Sequence, residues 1–459
     1  MSLLSNSLPP EIIGTNAGNL KRKYWNAGRE TMPVAHMRAL QLAKLCEQVK
    51  YVGEHSEFYK EKFRSSGFNL QEISSVEGLA ALPFTTKAEL RDSQEASPPF
   101  GRHLAASMSD IVRVTATSGT TGKSVFQGYT VHDTLRRTES IARVLWGFGV
   151  RPGDRVINGF ALSMFNAGIP LCAAVEHMGA VSIPAGAERR VEGMLKLMQQ
   201  LKPTVWIGTP SFAAALVEKC VEVLGMPAYE LGLRIVCGGG ESGFEQPAFQ
   251  RRMEAAWGTP YIYDWASTSD AHPNVFAHCE HRSGKHHITP DFALVELIDP
   301  KTGNIIEMAD GVQGEYIFSH LDRQACPLLR YRTGDVIRVN TSECACGRTG
   351  FRMDIIGRSD ALLIVRGADV FPSALQDVIG TFASQGIGPF QIVLSEPGPT
   401  VVSPLRIRVE SSGEGAYLKA SIEQAIREEL RVSSTIELVA SGALGRTETK
   451  SRLIVLENA

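Results

Sequence analysis

Between residues 134 and 240 helical and strand signatures follow one another in turn, and this alternation constrains the fold more than any other feature of the chain. Thr134 to Phe148 carries apolar residues at helical spacing and closes on Gly149; Arg151-Pro-Gly-Asp154 is a turn, and Arg155-Val-Ile-Asn-Gly-Phe160 reads as a strand. A helix over 191–201 leads through Lys202-Pro203 to a strand, Thr204-Val-Trp-Ile207, and Leu233-Arg-Ile-Val-Cys237 is another strand running into three glycines. Alternation of this kind layers helices on a largely parallel sheet and puts ligand loops at strand ends. The expected fold class is α/β. Met37 to Cys46 adds a helix near the start of the chain, to which no chemistry is assigned.

One loop ahead of that region carries chemistry. Ile111 to Thr117 is β-branched enough to be a strand, and it ends in Ser118, Gly119, Thr120, Thr121, Gly122 and Lys123. Two glycines let the backbone approach a ligand, while N–H groups, three hydroxyls and an ammonium can surround phosphate oxygens. The spacing is not that of a Walker loop, because the four residues that separate its glycine from its Gly-Lys pair are missing.

Bulk properties exclude several classes. The 459 residues allow one large domain or two to three ordinary ones, and 43% hydrophobic with 21% charged residues is ordinary for a soluble protein. A net charge of −2 offers no basic field for nucleic acid. The longest apolar tract, Val205 to Val217, is interrupted by Gly208, Pro210 and Ser211, so no membrane partner is expected. Met1 to Pro10 lacks the pattern of a secretory signal, which makes a cytoplasmic location the expectation and keeps the eight cysteines as thiols or metal ligands.

The order of residues from Ser118 to Lys123 resembles the phosphate-binding loop of the adenylate-forming enzymes: acyl-CoA synthetases, luciferases and peptide-synthetase adenylation domains. The phenylacetate-CoA ligase branch is the most similar, through Leu82-Pro-Phe-Thr-Thr-Lys-Ala-Glu-Leu-Arg91 and Gly128-Tyr-Thr130. The resemblance implies a large N-terminal layered α/β adenylating domain over 1–359 and a small mobile C-terminal α+β domain over 360–459. It also implies roles. Phe165 in Leu162–Gly168, with Trp206, Gly208 and Pro210 in Trp206–Phe212 and Trp265, falls where the family builds its acid pocket. Gly239, Gly240 and Glu241, with Tyr263 and Asp264 of Tyr261–Trp265, resemble the segments beside adenine. Asp335, read as lying in the tight turn Tyr331-Arg-Thr-Gly-Asp335, matches the ribose anchor. Arg358 joins the nucleotide site, Asp360 in Ile356–Asp360 is the hinge, and Arg366 and Gly367 match the CoA tunnel. Lys450 in Gly445–Lys450 matches the adenylating lysine.

By this resemblance the chain activates a carboxylic acid, aryl or arylacetic by branch, with ATP and Mg²⁺ and passes the acyl group to CoA. The alternatives are an amine or carrier-protein acceptor, or a nucleotide-binding homologue without turnover. The last is prompted by Ala266 and Ser267, which stand where the family's magnesium motif has a hydroxyl residue and a glutamate; Asp270 is the nearby carboxylate. Homodimers are common in this branch.

Cys279-Glu-His281 and Cys344-Ala-Cys346 supply thiolates and imidazole suited to tetrahedral zinc. The expected ligands are Cys279, His281, Cys344 and Cys346, with His286 or His287 as substitutes. A closed site of four ligands would staple loops and take no part in catalysis.

Overall fold

The computed structural model describes residues 22–457, apart from 70–72, 74, 118–123, 367, 397, 413–415 and 445–452. Its centre is a twelve-stranded sheet. Five strands, Val181–Ile183, Arg155–Asn158, Val205–Gly208, Ile235–Gly239 and Ile262–Ala266, run parallel side by side. From Ile262–Ala266 onward the sheet turns antiparallel, through Phe276–Ala277, Lys285–His287, Arg352–Arg358, Tyr331–Asn340, Gln313–His320 and Ala293–Ile298 to Ile305–Ile306. The parallel half reads as continuous apolar runs because helices cover both of its faces. Val205, Ile207, Ile235 and Cys237 pack on one side with the helix Val131–Gly147. Trp206, Val236 and Ile262 pack on the other with the helices Arg190–Leu201, Pro210–Leu224 and Pro247–Trp257.

Local signals account for the element ends. Thr130 and Thr86 each close a capping box on the helix that follows. Pro210 takes the first position of its helix, and Gly225 ends it in the left-handed conformation.

The expected strand around Ile111–Thr117 is Arg113–Ala116, paired with Phe126–Tyr129 in a hairpin of its own. The hairpin is rooted in the fold by Ala116 N–H, which donates to Met164 O at 2.9 Å.

Beyond Arg358 a separate core forms from residues 363 to 436 with Ile454 packed against it. Its four-stranded sheet runs Ser434–Ala440, Leu405–Ser411, Ile387–Leu394, Ile454–Leu456, and the helices Pro372–Gly380 and Ala416–Leu430 complete it. Among the described residues no helix is long and apolar enough to cross a membrane.

Candidate active site

The parallel strands end in glycines that approach one another too closely for any side chain. A Cβ on Gly238 would lie 1.6 Å from Gly208 O, and one on Gly239 would lie 2.1 Å from Trp265 O. Gly240 follows with φ +88°, outside the usual range of other residues. The sequence therefore leaves bare backbone along this edge, where a flat ligand can lie against peptide planes. Glu241 is fixed beside it by Ser211 N–H, which donates to its Oε1 at 2.7 Å. Phe165 is exposed and Trp265 half-buried, while Pro210 is buried at the helix start.

Three side chains expected to face ligands are turned into the fold. Trp206 is fully buried on the helix-covered face, with its ring under Gly208 and Gly159. Tyr263 stacks on Phe148 at 4.9 Å between ring centroids. Asp264 pairs with Lys285 at 2.8 Å, both nearly inaccessible, and takes no ligand-facing position. At these three positions only the backbone borders the strand ends. The cause is burial on both faces of these strands, which directs the side chains of Trp206, Tyr263 and Asp264 into the packed layers.

Asp335 lies not in a turn but inside the strand Tyr331–Asn340, where Gly334 at φ +77° and a register shift distort the ladder. That irregularity sets Asp335 opposite Arg358. Arg358 Nη1 donates to Asp335 Oδ1 at 3.0 Å, while its Nε and Nη2 hold both oxygens of Asp360 at 2.8 and 2.9 Å. The bidentate bond to Asp360, with Asp335 adding to it, raises the Arg358 pKa further and fixes its charge.

The Leu82–Arg91 motif, left without a role by the sequence, joins the same region. Thr85 bridges Tyr331, and Lys87 Nζ lies 3.7 Å from Asp270 Oδ2, which also accepts from Tyr331 Oη at 3.0 Å. Ser267, in the magnesium-motif register, donates its hydroxyl to Asn274 O at 2.8 Å. Asp270 Oδ1 is buried without a hydrogen-bond partner, which makes it the carboxylate oxygen in this loop with capacity left. Arg366, exposed, adopts φ +50°. Ser118 to Lys123, Gly367 and Lys450 lie outside the described residues.

Four metal-type donors converge. The ligand atoms of Cys279, His286, Cys344 and Cys346 all lie within 4.8 Å of one another. Cys279 Sγ is 3.7 Å from Cys344 Sγ, and Cys346 Sγ is 3.4 Å from His286 Nε2. Tetrahedral zinc with bonds of about 2.3 Å to sulfur requires sulfur atoms about 3.8 Å apart, so the donor set and spacing fit that ion. Backbone N–H groups of His281 and Arg348 point at Cys279 Sγ and Cys346 Sγ, both at 3.4 Å, as thiolates need. His281 itself is not in the cluster. Its exposed ring sits 3.8 Å from Glu280; it contributes its backbone, and the substitute His286 takes the ligand place. Pairing of Lys285–His287 with Arg352–Arg358 carries His286 there, a long-range event that spacing along the chain does not signal.

The chain is similar to known proteins over nearly all of its length. Residues 48–320 match the AMP-binding enzyme family, and 367–457 match the AMP-binding enzyme C-terminal domain. A phenylacetate-coenzyme A ligase of Thermus thermophilus is 34% identical over 383 residues, covering 83% of each chain. One from Escherichia coli is 29% identical over 438 residues, covering 94% of this chain and 97% of its own. A crystal structure of 2-hydroxyisobutyryl-CoA ligase, in the postadenylation state with an acyl-AMP, superposes with a TM-score of 0.88 at 28% identity, covering 97% of this chain and 94% of that one. The chain belongs to the AMP-binding enzyme family, on the branch occupied by the phenylacetate-coenzyme A ligases.

Proposed function

We propose that one cleft, bordered by the glycine strand ends, the Asp335–Arg358 pair and the C-terminal domain, carries both half-reactions of this enzyme. The protein is an AMP-forming acid–CoA ligase: it activates a carboxylic acid with ATP to an acyl-adenylate and transfers the acyl group to the CoA thiol. The observation that carries the residue assignment is Arg358, whose single guanidinium holds the ribose anchor Asp335 and the pivot Asp360 together.

In this reading Ser118, Gly119, Thr120, Thr121, Gly122 and Lys123 surround the β and γ phosphates as pyrophosphate leaves. Gly239, Gly240 and Glu241 line the adenine. Lys450 bridges the acid carboxylate and the α-phosphate, where negative charge builds as they approach. Rotation of residues 360–459 about Asp360 then withdraws Lys450 and brings Arg366 and Gly367 to the thiol route. Phe165, Gly208, Pro210 and Trp265 border the acid; phenylacetate and other aryl acids are the first to test, since the relatives are named for one. Asp270, whose Oδ1 is buried without a partner, is the residue that would hold Mg²⁺, and the ion would offset the negative charge of the ATP phosphates. Cys279, His286, Cys344 and Cys346 hold a structural zinc. Use of free CoA as acceptor distinguishes this reading from ligases that pass the acyl group to an amine or to a carrier-protein thiol, and assembly as a homodimer is decided by sedimentation.

Ser267 favours a second reading, a nucleotide-binding protein without turnover, which would release no pyrophosphate with any acid. The residue roles are tested with Lys450→Ala. Pyrophosphate release should fall at least about 100-fold, the scale of a lost electrostatic stabiliser, while a supplied acyl-adenylate is still converted to acyl-CoA. Equal loss of both half-reactions would remove Lys450 from its assigned role.

A further inference from the structure

Arg137 has no place in the mechanism above, and its surroundings are not those of a structural ion pair. Its side chain lies on the buried face of the helix Val131–Gly147 with 1% of the residue exposed. Nη1 donates to Asn166 Oδ1 at 2.9 Å, and the guanidinium lies 4.0 Å from the centre of the Tyr129 ring. Nη2 is buried with no hydrogen-bond partner. Among the described residues no carboxylate lies within ion-pair distance of it.

A second cation sharpens the problem. Arg323, also buried, lies 3.8 Å from the centre of the same Tyr129 ring. Two guanidiniums this near one ring centre occupy opposite faces, since one face has no room for both. A single carboxylate serves the pair: Asp133, 3.4 Å from Arg323 Nη1. That carboxylate already accepts from the N–H groups of Thr130, Gln324 and Ala325. His272 stands within the field of both arginines with its Nδ1 unpartnered. Burial and these charges hold the His272 pKa down to about 3, so it remains neutral. Among the described residues the site therefore has an excess of buried positive charge and open donor capacity, a cost that a bound anion would relieve.

The location says whose anion it is. Asn166, which Arg137 grips, follows Phe165 in the acid-pocket segment, and its Nδ2 donates to Ser269 O in the loop after Trp265 at 2.6 Å. Tyr129, whose hydroxyl donates to the same Asn166 Oδ1 at 3.1 Å, sits just past the phosphate loop. Two segments assigned to the acid, and one that follows the phosphate loop, meet at Arg137.

We propose that the acid this enzyme activates carries a second carboxylate, and that this group docks on Arg137 in the field of Arg323. The inference rests on the ligase reading above and specifies its substrate class. A guanidinium fork matches a planar carboxylate, and one oxygen can take Nη2 while Asn166 retains Nη1. The carboxylate that enters the anhydride with AMP is the other one.

Paired acids on the wild-type enzyme test this, succinate against butyrate and 1,4-phenylenediacetate against phenylacetate, read as kcat/KM for pyrophosphate release. The dicarboxylate of at least one pair should exceed its partner by about 100-fold or more, because a buried group built to bind is otherwise left unpaired. Arg137→Met should remove that preference, chiefly through KM for the acid, and Arg137→Lys should keep part of it. Thermal unfolding of both variants shows whether they fold, and the same melts with each acid read binding without turnover. A dicarboxylate that raises the melting temperature of the wild type but not of Arg137→Met supports the subsite even if no acid is turned over, in which case the ligase reading is what fails. Preference for the monocarboxylates, or equal effects of Arg137→Met on both members of a pair, overturns the proposal. So does an Arg137→Met effect confined to KM for ATP or CoA, which would assign the anion to a cofactor phosphate.

Discussion

At the scale of single residues, His320 and His103 are two of the buried groups that shape how the protein responds to acid. His320 is locked neutral: Nε2 donates to Ala271 O at 3.0 Å, and Nδ1 accepts from Leu328 N–H at 3.0 Å. Burial holds its pKa down to about 3, and that of His103 down to about 4. In the unfolded chain both take a proton near pH 6.5. Below that pH the unfolded state binds more protons than the native one, so stability falls as pH drops, beginning just under 6.5. These two rings should contribute about 2 to 4 kcal/mol of weakening between pH 7 and pH 5 in urea unfolding. NMR titration of either ring above pH 5 would show that it is protonated in the fold. Side-chain direction is also the part of the site that sequence carries least well. Trp206, Tyr263 and Asp264 sit in strands covered on both faces, where no polar–apolar alternation marks which way a residue points. Arg137, by contrast, had a signal: it falls four and seven residues before Ile141 and Val144, on the apolar stripe of its helix.

At the scale of elements, most of the sheet and its helices are legible because β-branched runs, Gly and Pro stops and helical spacing agree with one another. The strands expected over 155–160, 204–207 and 233–237 are found at Arg155–Asn158, Val205–Gly208 and Ile235–Gly239. What sequence does not show is pairing at a distance. Asp335 reads as a turn because Gly334 precedes it, yet antiparallel pairing with Arg352–Arg358 draws both residues into a strand. The same pairing network selects His286 over His281 at the metal cluster. That cluster ties the segments carrying Cys279, His286 and Cys344–Cys346. Removing zinc with a chelator, or replacing Cys346 with Ala, should lower the melting temperature by several degrees, about 1 °C per kcal/mol in a chain of this size. Acid activation by protein that still folds should persist. Protein isolated without zinc, or a melting temperature indifferent to chelation, would remove the metal from the account.

At the scale of the whole molecule, the arrangement of the two parts is itself informative. Against one and the same 2-hydroxyisobutyryl-CoA ligase, the TM-score is 0.88 in the postadenylation state, 0.76 in an open conformation and 0.72 in the thioesterification state. Of these three states, the structure is most similar to the postadenylation one. Arg358 is the contact that joins Asp335, the proposed ribose anchor, to Asp360, the proposed pivot. Arg358→Gln should therefore raise KM for ATP and slow thioester formation together, by about 10-fold each, as hinge substitutions do; a change in one alone would separate ribose anchoring from rotation. The central claim is that chemistry proceeds through an acyl-adenylate before any thiol is involved. Its most direct test is exchange of labelled pyrophosphate into ATP, measured with a panel of mono- and dicarboxylic acids in the absence of CoA. The account predicts exchange that needs an acid but not CoA, with AMP and acyl-CoA formed one for one once CoA is added. Exchange that requires CoA, release of ADP instead of AMP, or no exchange with any acid would contradict it.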